Sequence, residues 1–144
     1  MWAVDVSPDA LAVARANAEQ LGVDGRVTFF EGDLFAPVPA DAKFDVIVSN
    51  PPYVKRTELP TLQREVQAEP KLALDGGLDG LDLVKRVITD AMPRLKPGAL
   101  LALEIGEDQG DAVKQLLTRA GGHDARIDKD LERHDRIALA RKES

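Results

Sequence analysis

The sequence predicts a doubly wound α/β fold with a mostly parallel sheet. Three observations carry the prediction. Apolar runs of strand length alternate with segments of helical period along the whole chain. Short connections with recognisable caps join them, and the last two strands follow each other directly, as a hairpin does.

Each element has its own signal. Trp2-Ala3-Val4-Asp5-Val6 is a short apolar run that reaches an acid, the first strand. Ser7 suits an N-cap, Pro8 the first helical position, and Gly22 the stop after Leu21. Between them Leu11, Ala14, Ala18 and Leu21 fall on one helical face. Val27 to Glu31 reads as a second strand and Phe44 to Ser49 as a third, buried and central. The clearest helix carries Leu83, Val84, Val87, Ile88, Ala91, Met92 and Leu95 at three- and four-residue intervals, a broad buried stripe. Lys96-Pro97-Gly98 is then a turn, and Ala99 to Ile105 a fully buried strand. Val113, Leu116, Leu117 and Ala120 mark a further helix, closed by Gly121-Gly122. Residues 125–129 and 136–140 form the closing hairpin, giving the order β-α-β-β-α-β-α-β-β.

Composition narrows the chemistry. The 144 residues carry 19 Lys+Arg against 25 Asp+Glu, a formal charge of −6. A chain of this length suits one domain that buries roughly two thirds of its unfolded surface. With no cysteine, disulfide scaffolds, thiolate nucleophiles and iron–sulfur clusters are excluded. Two histidines, His123 and His134, do not make a metal site, and none is expected. A pI near 4.9 argues against a protein that grips nucleic acid through bulk positive charge. No apolar run approaches membrane-spanning length and the N-terminus has no secretory pattern, so a cytoplasmic location is expected.

The most specific signal is Asn50-Pro51-Pro52-Tyr53, directly after the third strand. A following proline pushes each preceding residue toward extended backbone, and neither proline has an N–H. The Asn50 side-chain oxygen and the Pro51 carbonyl can therefore both be presented as acceptors at the strand tip, with the flat ring of Tyr53 beside them. That is a receptor for a planar NH₂ group: two acceptors for its two hydrogens and a face to stack on. The plainer reading, a proline-rich loop, is disfavoured by the position at the carboxyl end of a strand, where α/β sheets bind ligands.

Asn-Pro-Pro-Tyr resembles the signature of S-adenosylmethionine-dependent methyltransferases that act on exocyclic or amide nitrogens. Its surroundings resemble one family among them. Glu69-Pro70, Ala73-Leu74-Asp75-Gly76-Gly77, Asp79-Gly80-Leu81, Leu103-Glu104-Ile105-Gly106, Asp108-Gln109-Gly110, Lys129-Asp130-Leu131 and Asp135-Arg136 are similar to the PrmC/HemK family, peptide-chain release factor glutamine N5-methyltransferases. The similarity runs from Trp2 to Arg141.

The resemblance implies a Rossmann-like class I methyltransferase fold, S-adenosylmethionine as cofactor and a release factor as protein substrate. It implies cofactor contacts from Asp5 (ribose hydroxyls), from Asp33 and Leu34 (adenine), and from Asn50. Position 34 is commonly Trp in the family, and leucine covers a ring without stacking on it. Asn50, Pro51, Pro52 and Tyr53 match the glutamine-binding motif, with Asn50, Pro51 and Tyr53 in the catalytic role. Against that family, residues 1–144 read as a partial catalytic domain: its first strand, its Gly-rich loop and the N-terminal helical docking domain have no counterpart here. The chain expressed alone is then expected to be marginally stable or aggregating and to transfer no methyl groups.

Other readings are weaker. An adenine N6-methyltransferase uses the same NH₂ receptor, but the acidic pI and 4% aromatic content speak against it, and direct nucleic-acid binding is not expected. A non-catalytic fragment fits the missing strand. A nicotinamide enzyme resting on Asp5 lacks Gly-x-Gly-x-x-Gly altogether. Asp5 with Glu104 as a hydrolytic carboxylate pair has nothing to set its separation, and Glu104 reads instead as a structural hydrogen-bond acceptor. His134 reads as solvated, and Lys55-Arg56 as surface cations.

Overall fold

The computed structural model describes residues 1–143. The chain divides into two units, Met1–Ala42 and a second that begins at Lys43.

The first unit holds β1 (Trp2–Asp5), α1 (Pro8–Gln20) and β2 (Thr28–Glu31). Ser7 caps α1 as expected: its hydroxyl accepts the Ala10 N–H, and Pro8 occupies the first turn. Leu11 and Ala18 bury the inner face, but Leu21 is 74% exposed because it is the C-cap residue rather than part of the stripe. Gly22 follows at φ +64, the left-handed conformation that ends a helix at low cost. β1 and β2 pair in parallel from Trp2 opposite Thr28 to Asp5 opposite Glu31. On one face of this ribbon Trp2 meets Phe30 edge to face at 5.4 Å, and on the other the Arg15 guanidinium lies 4.6 Å from the Phe29 ring.

The second unit holds β3 (Phe44–Ser49), two single-turn helices α2 (Arg64–Gln67) and α3 (Lys71–Leu74), α4 (Asp82–Ala91), β4 (Leu95–Glu104), α5 (Gly110–Arg119), β5 (Gly122–Lys129) and β6 (Asp135–Lys142). Its sheet runs β3-β4-β6-β5. β3 and β4 are parallel, while β6 lies antiparallel to both β4 and β5. Val84, Val87, Ile88, Ala91 and Met92 of the α4 segment are buried, as their spacing required. They share the core with Leu101 and Leu103 of β4, Val113 and Leu117 of α5, and Ala138 and Ala140 of β6.

Two expectations need correction. Lys96-Pro97-Gly98 does not separate helix from strand, because β4 already starts at Leu95. Phe44 faces Leu95 and Val46 faces Leu100, so three extra residues of β4 bulge out with Gly98 at φ +75. The α/β architecture with its closing antiparallel hairpin stands as expected: β1–β2 and β3–β4 pair in parallel, and β6 pairs antiparallel with β4 and β5. Finally, β3 is an edge strand rather than a central one. Among the described residues its only ladder is with β4, and Val46 and Val48 are 52% and 74% exposed.

A strand edge with exposed valines invites pairing with another chain. The 144-residue chain by itself is expected to aggregate as its concentration rises, measured by light scattering, and Val48→Lys to suppress it. Equal scattering by the two proteins would show that the β3 edge is not the sticky element.

Candidate functional site

The β3–β4 ladder ends with Ser49 opposite Leu103, so Asn50 leaves the sheet beside Glu104. Asn50 is exposed, Pro51 is buried, and Pro52 and Tyr53 are half-buried. Neither the Asn50 side chain nor the Pro51 carbonyl is engaged by another group among the described residues. The two acceptors expected from the sequence are therefore available at the strand tip.

Tyr53 is held at both ends. Its hydroxyl donates to Glu104 Oε1 at 3.1 Å, and its carbonyl accepts from Gln109 Nε2 at 3.0 Å. Burial, and then the Glu104 carboxylate, push the phenol above its usual value of 10.0; the Arg136 charge opposes them. Past Tyr53 the chain pairs with the glycine-rich segment: Val54 N–H donates to Leu74 O, Gly76 N–H to Val54 O and Arg56 N–H to Gly77 O. The match is close. A Cβ on Gly76 would lie 2.8 Å from the Tyr53 Cα, and one on Gly80, at φ +74, would lie 2.5 Å from the Tyr53 carbonyl oxygen.

Ion pairs close the same region. Lys55 bonds Asp108 and stands 3.5 Å from Glu58, and Arg56 Nε donates to Asp75 at 2.9 Å. That guanidinium and the Gly77 N–H hold the Asp75 carboxyl below its usual 3.8. Lys55 and Arg56 are thus committed to neighbouring loops rather than left as bare surface cations. His134 pairs with Glu107, and Arg136 reaches Asp130 and the Ile105 carbonyl.

In the first unit, Asp5 accepts the Ser7 N–H through Oδ1 at 2.8 Å, which shapes the turn into α1. Its Oδ2 has no partner among the described residues and stays available at the end of β1. Glu31 lies opposite Asp5 in the ladder, and the Gly32 N–H closes on the Asp5 carbonyl at 3.0 Å. Asp33 is exposed, and Leu34 is half-buried at φ 50, a left-handed conformation uncommon for leucine. Such strain gathers at ligand sites.

Residues 1–68 match the model of the UPF0020 family, an RMKL-like methyltransferase domain. Across 141 residues the chain is 47% identical to a release factor glutamine methyltransferase of Moorella thermoacetica, covering 97% of this chain and 50% of that protein. Over nearly its whole length the chain is similar to release factor glutamine methyltransferases, at 42–47% identity. A ribosomal protein uL3 glutamine methyltransferase of Bradyrhizobium diazoefficiens is 51% identical over 104 residues, covering 72% of this chain and 32% of that protein. Among solved structures, a Pyrococcus furiosus methyltransferase superposes on 99% of this chain and 62% of its own with a TM-score of 0.70 at 18% identity. That likeness shows the class I methyltransferase fold. The chain spans about half the length of the curated relatives it matches.

Three further residues stand at these sites. Glu31 ends a strand with an acid just as Asp5 does, and that rule applied equally would have found it. Glu104 is a structural acceptor, as its place at a strand end suggests, and what it accepts is the hydroxyl of the motif tyrosine. Gln109 was visible only as one letter of a motif. Nothing local says that its amide reaches a residue 56 positions earlier.

Proposed function

We propose that this chain carries the catalytic part of an enzyme that transfers a methyl group from S-adenosylmethionine to the side-chain amide nitrogen of a glutamine in a peptide-chain release factor. The observation that supports it best is the Asn50–Tyr53 segment at the carboxyl end of β3, with two unengaged acceptors and a clamped aromatic residue.

An amide nitrogen is a weak nucleophile because its lone pair is delocalised into the carbonyl, the same resonance that flattens a peptide bond. Asn50 Oδ1 and the Pro51 carbonyl accept its two N–H hydrogens, which raises electron density on nitrogen and fixes where the lone pair points. No base has to act first, since the proton leaves after the new N–C bond forms. When bound, S-adenosylmethionine supplies an electrophilic sulfonium methyl group. The acceptors fit its sugar: Asp5 retains a carboxylate oxygen to accept from ribose hydroxyls, with Glu31 opposite it in the ladder. Asp33 and Leu34 would contact the adenine.

A direct labelling assay tests this reading. Protein of full natural length and a radiolabelled methyl donor are offered a release factor, ribosomal protein uL3 or a DNA strand. Methylation of a release-factor glutamine is expected. Label only on uL3 would move the substrate within the family, and label on adenine would overturn the amide reading.

Leu34→Trp is expected to tighten cofactor binding by about 1 kcal/mol, the size of an aromatic stacking contact. The left-handed backbone already carries a Cβ at this position, so tryptophan adds no new backbone clash. Calorimetric titration checks it, and unchanged affinity would show that residue 34 does not face the adenine.

A further inference from the structure

We propose that Glu104 and Gln109 are positioning residues that hold Tyr53 by its hydroxyl and its carbonyl, and so set the geometry of the whole Asn50–Tyr53 segment. The proposal rests on the reading of that segment as the substrate site.

Gln109 is a polar side chain in the core, only 4% exposed. Burying a carboxamide is unfavourable unless its hydrogen bonds are replaced. Here each is: Nε2 donates to Tyr53 O at 3.0 Å and to Gly80 O at 3.2 Å, and Oε1 accepts the Gly106 N–H at 2.9 Å. An apolar residue of equal size would fill the space and leave two carbonyls and an N–H without partners. The amide thus joins three segments, and its own backbone is fixed at the N-cap of α5, where its carbonyl accepts the Val113 N–H. Glu104 is equally well anchored as the last residue of β4, opposite Ile137 of β6.

The segment is therefore pinned on both sides. Before it, the β3–β4 ladder ends at Ser49; after it, Tyr53 is caught by Glu104 and Gln109. Between these anchors stand Asn50 and two prolines whose φ angles are locked near −65°. Fixing Tyr53 leaves little freedom for the Asn50 side chain and the Pro51 carbonyl, whose separation has to match an NH₂ group. Acceptors misplaced by a fraction of an ångström lose turnover before they lose binding.

The chain has a single tyrosine, which provides a direct probe. In protein of full natural length labelled with ¹³C at tyrosine Cζ, with the Tyr53 signal identified by its loss in Tyr53→Phe, one sharp resonance is expected. It should titrate above the ordinary phenol range. Glu104→Gln, which keeps an acceptor but loses the charge, is expected to bring that titration down while the melting temperature holds. Gln109→Met is expected to broaden or split the resonance. Should that variant not fold, Gln109→Glu keeps the size and the Gly106 acceptor and reads the same signal. In turnover, Glu104→Ala and Gln109→Met are expected to lower kcat by on the order of tenfold to a hundredfold with KM for the methyl donor little changed, and Glu104→Gln to restore most of it. A Tyr53 signal indifferent to both positions in folded variants overturns the proposal. So does unaltered kcat in Glu104→Ala and Gln109→Met when Asn50→Ala is inactive. If Asn50→Ala itself keeps full turnover while Tyr53 responds as described, the clamp stands and the substrate-site reading fails instead.

Discussion

Asn50→Ala is expected to cut glutamine methylation by on the order of a hundredfold or more, the scale of losing one aligned partner of the reacting group. The Asn50 side chain is exposed and engages no other group among the described residues, so its removal disturbs no packing and no internal hydrogen bond. The melting transition should therefore stay within about 0.5 kcal/mol of the parent, as surface substitutions do. Single-turnover measurements at saturating methyl donor read the loss. Near-normal turnover in a folded Asn50→Ala protein would sink the assignment of this segment.

Gly80→Ala has the largest expected effect on stability, a loss of about 3 kcal/mol. Two costs add. An L-residue held at φ +74 is strained by roughly 1–2 kcal/mol. The new Cβ would also stand 2.5 Å from the Tyr53 carbonyl oxygen and 2.6 Å from Gln109 Nε2, and forced overpacking costs roughly 1–3 kcal/mol. Neither neighbour yields easily, since the two are hydrogen-bonded to each other. For a chain of this size the midpoint should fall by roughly 10 °C. Gly98→Ala is the control: its φ is +75, yet nothing lies within 4 Å of the added Cβ, so only the backbone cost of roughly 1–2 kcal/mol applies. Thermal melts of the two variants read the difference directly. Equal losses would mean that the Gly80 segment does not press on Tyr53 as described.

Much of the molecule was legible in local sequence. The Ser7 cap, the Pro8 start, the Gly22 stop and the buried stripe of α4 all stand where their residues put them. The reason is that capping, proline φ restriction and helical period act over a few residues. The Asn50–Tyr53 segment belongs with them: two prolines dictate its backbone, and the strand before it delivers it to the sheet end. The excursion at Lys96–Gly98 was half legible. Pro-Gly announced a turn, but only pairing with β3 could show that β4 had already begun.

What local sequence left open were the relations between residues far apart in the chain. Strand order is one, since the apolar Val46 and Val48 suit a central strand and stand instead on an edge. The commitment of Lys55 and Arg56 to Asp108 and Asp75 is another, as a surface pair reads the same whether solvated or bridged. The clearest is Tyr53, whose partners Glu104 and Gln109 lie 51 and 56 residues away. A carboxylate at a strand end and a glutamine before a helix have many possible partners until the sheet closes and the core excludes water. Burial then makes every unpaired polar group costly, and that cost selects this one arrangement.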